Sequence, residues 1–252
     1  MLALLAVLLS TQVTDKSLTC EEYVELGAPA HDRTWMGKDF TTSSGVLSKL
    51  APEKMPRRDS KKSGAYFARL SSEDNFAPIL KKDTDVKLRV QAASALIEGF
   101  NGLYKVYANA MIKDSSLDAE LLTLTLAMLE LETALFSVLE EFTATLSEEE
   151  RNQDARKKGL QQMQSGFSTT VAASLSMFDD RKLFKIENLR EFASRLVEVL
   201  PPLVVSLSQT SRKEIPIRLK TMVDEEKDEE LKRSFSRLRE ALMKEEPKAK
   251  EK

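Results

Sequence analysis

The sequence contains only one histidine, His31, and one cysteine, Cys20, among its 252 residues. A single cysteine cannot form an intramolecular disulfide, so packing alone is expected to hold the fold. A single histidine excludes a di-iron bundle site, which needs two Glu-x-x-His motifs, and a structural zinc site with several Cys and His ligands. A Cys20–His31 catalytic pair is not expected either, because no rigid element is visible around these residues. We therefore predict no metal and no cofactor.

Phosphate-binding loops are also missing from the sequence. Neither G-x-G-x-x-G nor G-x-x-x-x-G-K-[ST] occurs, and the GFNG stretch at residues 99–102 lies inside a helical pattern. The net charge of −2 offers no excess of Lys and Arg for phosphate backbones, so nucleic acid is not an expected partner. These absences favour a protein that is not an enzyme.

Carboxylates are the one catalytic group in good supply. Ten acidic residues and no Lys or Arg lie between Asp114 and Glu150. They could bind a divalent cation or provide the two carboxylates of a hydrolase. Glu130 and Glu132 are the main candidates, because they flank an apolar seam. We prefer to interpret the acidic residues as a solvated or salt-bridged helix edge, since bundles seldom form a deep sugar-binding cleft, and a hydrolase is the least favoured function.

The composition predicts an all-α fold. Aromatic residues make up only 6% of the chain, and Gly and Pro number 8 each, which is too few for a β-sandwich or barrel. Apolar residues reach 42% and charged residues 31%, as is typical of packed helices. We predict an antiparallel bundle of about four to five long helices over residues 85–245, preceded over residues 14–84 by an irregular arm with short helices. Residues 246–252 are expected to form a disordered tail.

The first ten residues, MLALLAVLLS, form an apolar run too short for a membrane span but long enough for the core of a signal peptide. A signal peptide over residues 1–13 would make the protein exported, either periplasmic or secreted. No Lys or Arg precedes the run and no Ala-x-Ala site follows it, so a buried N-terminal strand or helix turn is the alternative. In an exported protein Cys20 could pair between chains, which makes a homo-oligomer one candidate assembly.

The first long helix is predicted over residues 85–113, where apolar residues recur at alternating spacings of three and four. A second face of this helix carries small residues, among them Gly99 and Gly102. Because glycine costs a helix roughly 1 kcal/mol relative to alanine, these two indicate close approach of another helix, with a local bend as the competing explanation. The next helix, at about residues 116–146, has a regular seam of Leu, Met, Val and Phe and is expected to be the most buried.

The remaining helices carry weaker signals. Ser147 and Glu150 form a capping box that starts a third helix, which is expected to be peripheral. The apolar seam of a fourth helix passes Pro201 and Pro202, where a kink near Val199 or a break with Pro201 opening a new turn is expected.

A fifth helix is expected after the fourth. Ser211 and Glu214 have the spacing of a capping box, which would place its start at Ser211. The apolar pattern of this helix is weak through DEEKDEE and returns near residue 231. We expect it to continue to about residue 245.

Two groups of residues are candidates for binding. Residues 49–62 contain six basic residues and two prolines and are expected to form an exposed basic loop. Its cations could bind anionic lipid headgroups or an acidic protein partner, although a solvated loop is the plainer interpretation. The candidate residues are Arg57, Arg58, Lys61 and Lys62. A second group could line an apolar pocket, although ordinary core is the plainer interpretation here too; it consists of Phe100, Tyr104 and Tyr107.

The segment GAPAHDRTW, residues 27–35, holds both the only histidine and the only tryptophan. Without a catalytic partner, His31 is expected to be a loop or capping residue. Trp35 is predicted to anchor the arm by burying its ring on the bundle. The favoured function is a non-enzymatic interaction or structural protein of the cell envelope, and the alternative is a carrier of an apolar small molecule in the bundle core.

Overall fold

The computed structural model describes residues 18–29 and 33–245. These residues are mostly helical and contain no strand, which confirms the all-α prediction. The signal peptide expected at residues 1–13, the role expected for His31 and the tail expected at residues 246–252 lie outside the described residues.

The arm consists of short helices, and the first of them begins at a capping box. At the start of the first helix, the Thr19 N–H donates to Glu22 Oε2 over 2.7 Å and the Glu22 N–H donates to Thr19 Oγ1 over 3.3 Å, which forms a capping box. Two 3₁₀ turns, Pro52–Lys54 and Glu73–Asn75, connect parts of the arm. The four helices of the arm are α1 (Cys20–Glu25), α2 (Gly37–Leu47), α3 (Gly64–Leu70) and α4 (Ala77–Leu80).

The bundle contains six helices of 17 residues or more and one single-turn helix, α7 (Glu148–Arg151). Helix α6 packs between α5 and α9, helix α9 packs on α11, and α10 covers α11. Short connections, such as the 3₁₀ turn Ser115–Leu117 between α5 and α6, make consecutive helices antiparallel. Helices α6 and α9 run parallel, since Asp118 contacts Asn188 near their N-terminal ends and Glu130 contacts Arg195 farther along both helices. The long helices are α5 (Val86–Lys113), α6 (Asp118–Ala144), α8 (Asp154–Ser176), α9 (Ile186–Val204), α10 (Gln209–Glu225) and α11 (Glu229–Glu245).

Helix α6 buries more residues than any other described helix, as its seam predicts. The stretch Ser115–Ala144 also has the length and hydropathy of a membrane span, and it is the one described stretch that does. In this structure 67% of the most apolar 18-residue stretch of this helix is buried inside the protein. The core helix of a bundle has the same composition, because every face that meets a neighbouring helix must be apolar.

The small-residue face of α5 receives α2, so the predicted close approach is present. A Cβ placed on Gly99 would lie 2.3 Å from the carbonyl oxygen of Gly37 and 2.9 Å from Phe40 Cβ. A Cβ on Gly37 would lie 2.3 Å from the carbonyl oxygen of Ala95. Neither position has room for a side chain, so glycine on both helices lets the two backbones touch.

Two features expected at helix boundaries are absent. Of the two outcomes expected at the prolines, the break at Pro201 does not occur, because α9 continues through both prolines to Val204. The prolines lie in its last turn, so the two hydrogen bonds that they cannot donate are among the last of the i→i−4 series of the helix. The capping box at Ser211 does not form: Ser208 caps α10, and its Oγ accepts from the N–H of Ser211 over 3.2 Å.

The third and fifth predicted helices are each divided in two. The capping box of Ser147 starts only the single turn α7, and the longer α8 begins at Asp154. The fifth helix ends at Glu225 and a new helix begins at Glu229, within the weak DEEKDEE stretch. Helix α8 is peripheral, as predicted, since only four of its residues are buried.

The α2–α5 contact generates a prediction about Gly99→Ala. We expect this substitution to destabilise the protein by about 1–3 kcal/mol, because the new methyl group meets backbone that cannot move aside easily. The matched control is Gly159→Ala in α8, where nothing lies within 4 Å of the new methyl group. The control is expected to stabilise the protein by up to about 1 kcal/mol through helix propensity.

Urea unfolding of both variants measures the two effects. Equal stabilities of Gly99→Ala and the wild type would contradict the close contact between α2 and α5.

Candidate functional site

Arg57 and Arg58 attach the basic loop to the bundle. Arg57 Nη1 donates to the Ser116 carbonyl and Nη2 donates to Asp114 Oδ2, both over 2.8 Å. Arg58 Nη1 donates to Glu191 Oε1 on α9 over 2.9 Å. The two side chains are 27% and 29% exposed. The expectation of an exposed loop is therefore wrong for these two arginines, because their guanidinium groups pair with bundle residues.

The lysines of the same segment are more accessible. Lys62 Nζ lies 3.5 Å from Glu22 Oε1 of α1, whereas Lys61 is exposed and forms no ion pair with another described residue. Lys49 and Lys54 are likewise exposed and without an ion pair among the described residues. The free positive charge of the loop thus lies on lysines rather than on arginines.

Lys49 and Lys54 belong to a stretch that packs near the C-terminal end of α5. The stretch Leu47–Met55 and the last turns of α5 line a cavity of about 110 Å³, with Lys113 in its wall. The adjacent Ile112 is 77% exposed, more than any other large apolar residue described. Lys61 belongs to the loop that Arg57 ties to Asp114, the residue after Lys113. We call this the lysine surface; it consists of Lys49, Lys54, Lys61, Lys113 and Ile112.

Phe100, Tyr104 and Tyr107 lie at the interface between α5 and its neighbours. Phe100 and Tyr107 have no exposed surface, and Tyr104 is partly buried. The Phe100 ring packs on Phe40 of α2 at 5.3 Å between centroids, and the Tyr107 hydroxyl donates to the Pro56 carbonyl over 2.9 Å. A ligand at this place would have to displace the arm.

Trp35 is buried in the arm, with 2% of its surface exposed. Its ring packs on Phe40 at 5.2 Å and on Tyr66 at 5.7 Å between centroids. Its N–H group in the backbone donates to Asn75 Oδ1 over 2.7 Å. Since Phe40 in turn contacts Phe100, the tryptophan is joined to α5 through one intervening ring.

We expect Trp35→Ala to weaken the arm by about 3 kcal/mol, because it removes a fully buried large aromatic side chain. Trp35→Phe keeps a ring in contact with Phe40 and is expected to lose about half as much or less. Limited proteolysis followed by mass spectrometry measures the effect as faster cleavage within the arm. An arm equally resistant in Trp35→Ala and the wild type would contradict the anchor.

Three of the carboxylates in the acidic stretch are buried: Asp118, Glu120 and Glu132. Asp118 Oδ2 accepts from the N–H of Lys185 and from Asn188 Nδ2, each over 2.8 Å. Glu120 Oε1 accepts from the backbone N–H of Arg58 over 2.8 Å. Sequence reasoning did not single out Asp118 or Glu120, because a charge at the start of an apolar helix is also typical of solvent exposure. Both join α6 to distant segments.

Glu130 and Glu132 do not form a catalytic pair of carboxylates. Residues two positions apart in a helix project from different faces. Glu130 pairs with Arg195 Nη2 at 3.3 Å, and Glu132 Oε1 accepts from Thr170 Oγ1 of α8 over 2.7 Å. Burial raises the pKa of both, and that of Glu132 reaches about 8. Within the described residues, no group of three or more His, Cys, Asp and Glu side chains is arranged to hold a metal ion.

Glu132 is predicted to make the protein less stable as the pH rises. The usual carboxyl pKa is 4.5, but in the fold it is raised to about 8, so the unfolded chain loses this proton first. The free energy of unfolding therefore falls between about pH 4.5 and 8, by roughly 3–5 kcal/mol in all. Glu132→Gln has no proton to lose and is expected to remove this fall, so it is more stable than the wild type at pH 8.5.

Urea unfolding at pH 4 and pH 8.5 measures this difference, which should be small at pH 4. The control is Glu148→Gln, since Glu148 is exposed on α7. Parallel pH profiles for Glu132→Gln and the wild type would disprove the assignment.

Comparisons of the chain with protein-family models, curated proteins and solved structures give no match. No relative therefore supplies a reaction or a set of functional residues, and the function rests on the geometry of this chain. Among the described residues, that geometry offers exposed lysines without ion pairs near the C-terminal end of α5, where Ile112 is also exposed.

Proposed function

We propose that this protein is a non-enzymatic interaction protein that binds anionic membrane headgroups through the lysine surface. The observation that supports this proposal is the set of exposed lysines without ion pairs near the C-terminal end of α5, where Ile112 is the most exposed large apolar side chain described. Lysines attract anionic headgroups, and an apolar side chain among them can enter the interface.

The arginines of the same loop support this function indirectly. Arg57 and Arg58 hold the loop against α5, α6 and α9, so that its lysines are presented from a packed bundle. Lys49, Lys54 and Lys113 are exposed to solvent and form no ion pair with a described residue. Glu53 is the exposed carboxylate within the 3₁₀ turn, and it leaves the lysine surface with an excess of positive charge.

We also propose that the protein is exported and works at the cell envelope. The apolar run of the first ten residues supports export by its length and composition. N-terminal sequencing of the protein isolated from its native source tests this point, since a start near residue 14 is expected and an intact Met1 would contradict cleavage.

Two alternatives are less well supported. A carrier function in the bundle core at Phe100 and Tyr107 would require the arm to move, because both side chains are fully packed. An acidic protein in place of a membrane would use the same lysines, and the vesicle experiment separates the two partners.

Reversing charge at the lysine surface is expected to abolish membrane binding. The triple variant Lys49→Glu, Lys54→Glu and Lys113→Glu should bind phosphatidylglycerol–phosphatidylcholine vesicles at least 100-fold more weakly than the wild type, at about 1 kcal/mol per lost lysine. Cosedimentation at low and at physiological salt measures the binding, and added salt should weaken the wild-type interaction.

The matched control reverses two exposed lysines that lie elsewhere on the surface, Lys213→Glu on α10 and Lys227→Glu after it. This control should bind like the wild type, and neither variant should change the melting temperature greatly. The membrane function would be refuted if the wild type did not sediment with anionic vesicles, or if the triple variant still sedimented with them.

A further inference from the structure

A groove opens where α6 and α8 separate at the C-terminal end of α6. The apolar stripe of α8 is buried at Phe167 and Val171, but no residue from Asp154 to Gly166 is buried. Leu160 is 47% exposed, and Met163 is only partly covered. The two helices therefore enclose a cavity of about 270 Å³ between them, which we call the α6–α8 groove.

The floor of the α6–α8 groove is apolar. Leu139 and Phe142 come from α6, and Leu160 and Met163 come from α8. These residues continue the same seams that are packed together farther along both helices. The groove is thus the part of the α6–α8 contact that no other described helix fills.

The rim of the groove is cationic. Arg151, Arg156 and Lys157 line it, and no carboxylate does. None of the three forms an ion pair with another described residue, and the Arg156 guanidinium lies 5.9 Å from the centre of the Phe142 ring. The nearby Glu150 is held by its capping box, where Oε2 accepts from the Ser147 N–H over 2.9 Å.

All three cations come from the α7–α8 side, whereas the α6 side is mainly apolar. A ligand that matches this arrangement has an apolar body and one anionic end. Ligand pockets commonly measure about 300–1,000 Å³, so a cavity near the lower limit takes one slender chain rather than a ring system. An amphipathic helix of a partner would need apolar anchors over two or more turns, for which this short floor offers little length.

We propose that the α6–α8 groove binds a medium-chain fatty acid, with its acyl chain along the apolar floor and its carboxylate beside Arg151, Arg156 and Lys157. The site is separate from the lysine surface. Since a helix rises about 1.5 Å per residue, Leu139 lies on the order of 30 Å along α6 from the end that carries the lysine surface. The proposal therefore does not depend on membrane binding.

Isothermal titration with dodecanoate below its micelle concentration tests the proposal. The wild type should bind one dodecanoate per chain, and dodecanol should bind at least tenfold more weakly because it lacks the charge. The variant Arg156→Gln, Lys157→Gln should lose at least tenfold in affinity for dodecanoate but little for dodecanol. Leu160→Gln should weaken the binding of both ligands.

The matched control is the lysine-surface variant Lys54→Glu, Lys113→Glu, which should bind dodecanoate like the wild type. All the substituted positions in the groove are at least partly exposed, and circular dichroism with thermal melting verifies that each variant is folded. The proposal is overturned if the wild type does not bind dodecanoate saturably, or if the double rim variant binds it unchanged. It is also overturned if an acidic amphipathic peptide, unlike dodecanoate, binds the groove.

Discussion

The whole structure depends on covering α6. This helix is apolar around most of its circumference, so a single neighbour cannot keep it from water. Helices α5 and α9 pack along two of its sides, and α4 and α8 make smaller contacts. The other helices of the bundle are therefore arranged around one apolar helix. Where the cover ends, near Leu139 and Phe142, apolar surface remains accessible in the α6–α8 groove.

The arm is a structural part of the bundle rather than an appendage. Gly37 and Gly99 let α2 reach the backbone of α5, and Trp35 and Phe40 fill the space beside this contact. Arg57 lies in the loop that follows α2, and it donates to the Ser116 carbonyl just before α6, which attaches the loop to the bundle. Each connection uses a residue whose role depends on its partner. Within residues 49–62, the cations that form no ion pair with a described residue are lysines, and they are part of the proposed membrane-binding surface.

Much of the fold was predictable because its signals are local. The seam of α6, the small-residue face of α5 and the capping box at Ser147 each depend on residues within one helix or one turn, and each is present. The breaks that divide the third and fifth predicted helices were not predictable, because residues 152–153 and 226–228 are polar and include neither Pro nor Gly to mark the end of a helix. The candidate site was predicted only in part: the basic segment is at the surface, but its arginines face carboxylates on other helices.

The sequence by itself determined the fold class, the most buried helix and the absence of residues for disulfide, zinc or di-iron chemistry, since these follow from composition and short-range periodicity. Only the tertiary structure decided which charges are free. Arg57 and Lys54 lie three residues apart, yet one is paired and the other is exposed. The same holds for Glu132, whose pKa of about 8 reflects burial against α8. Pairing and desolvation depend on groups that are distant in the chain, and helical periodicity does not predict which groups these are.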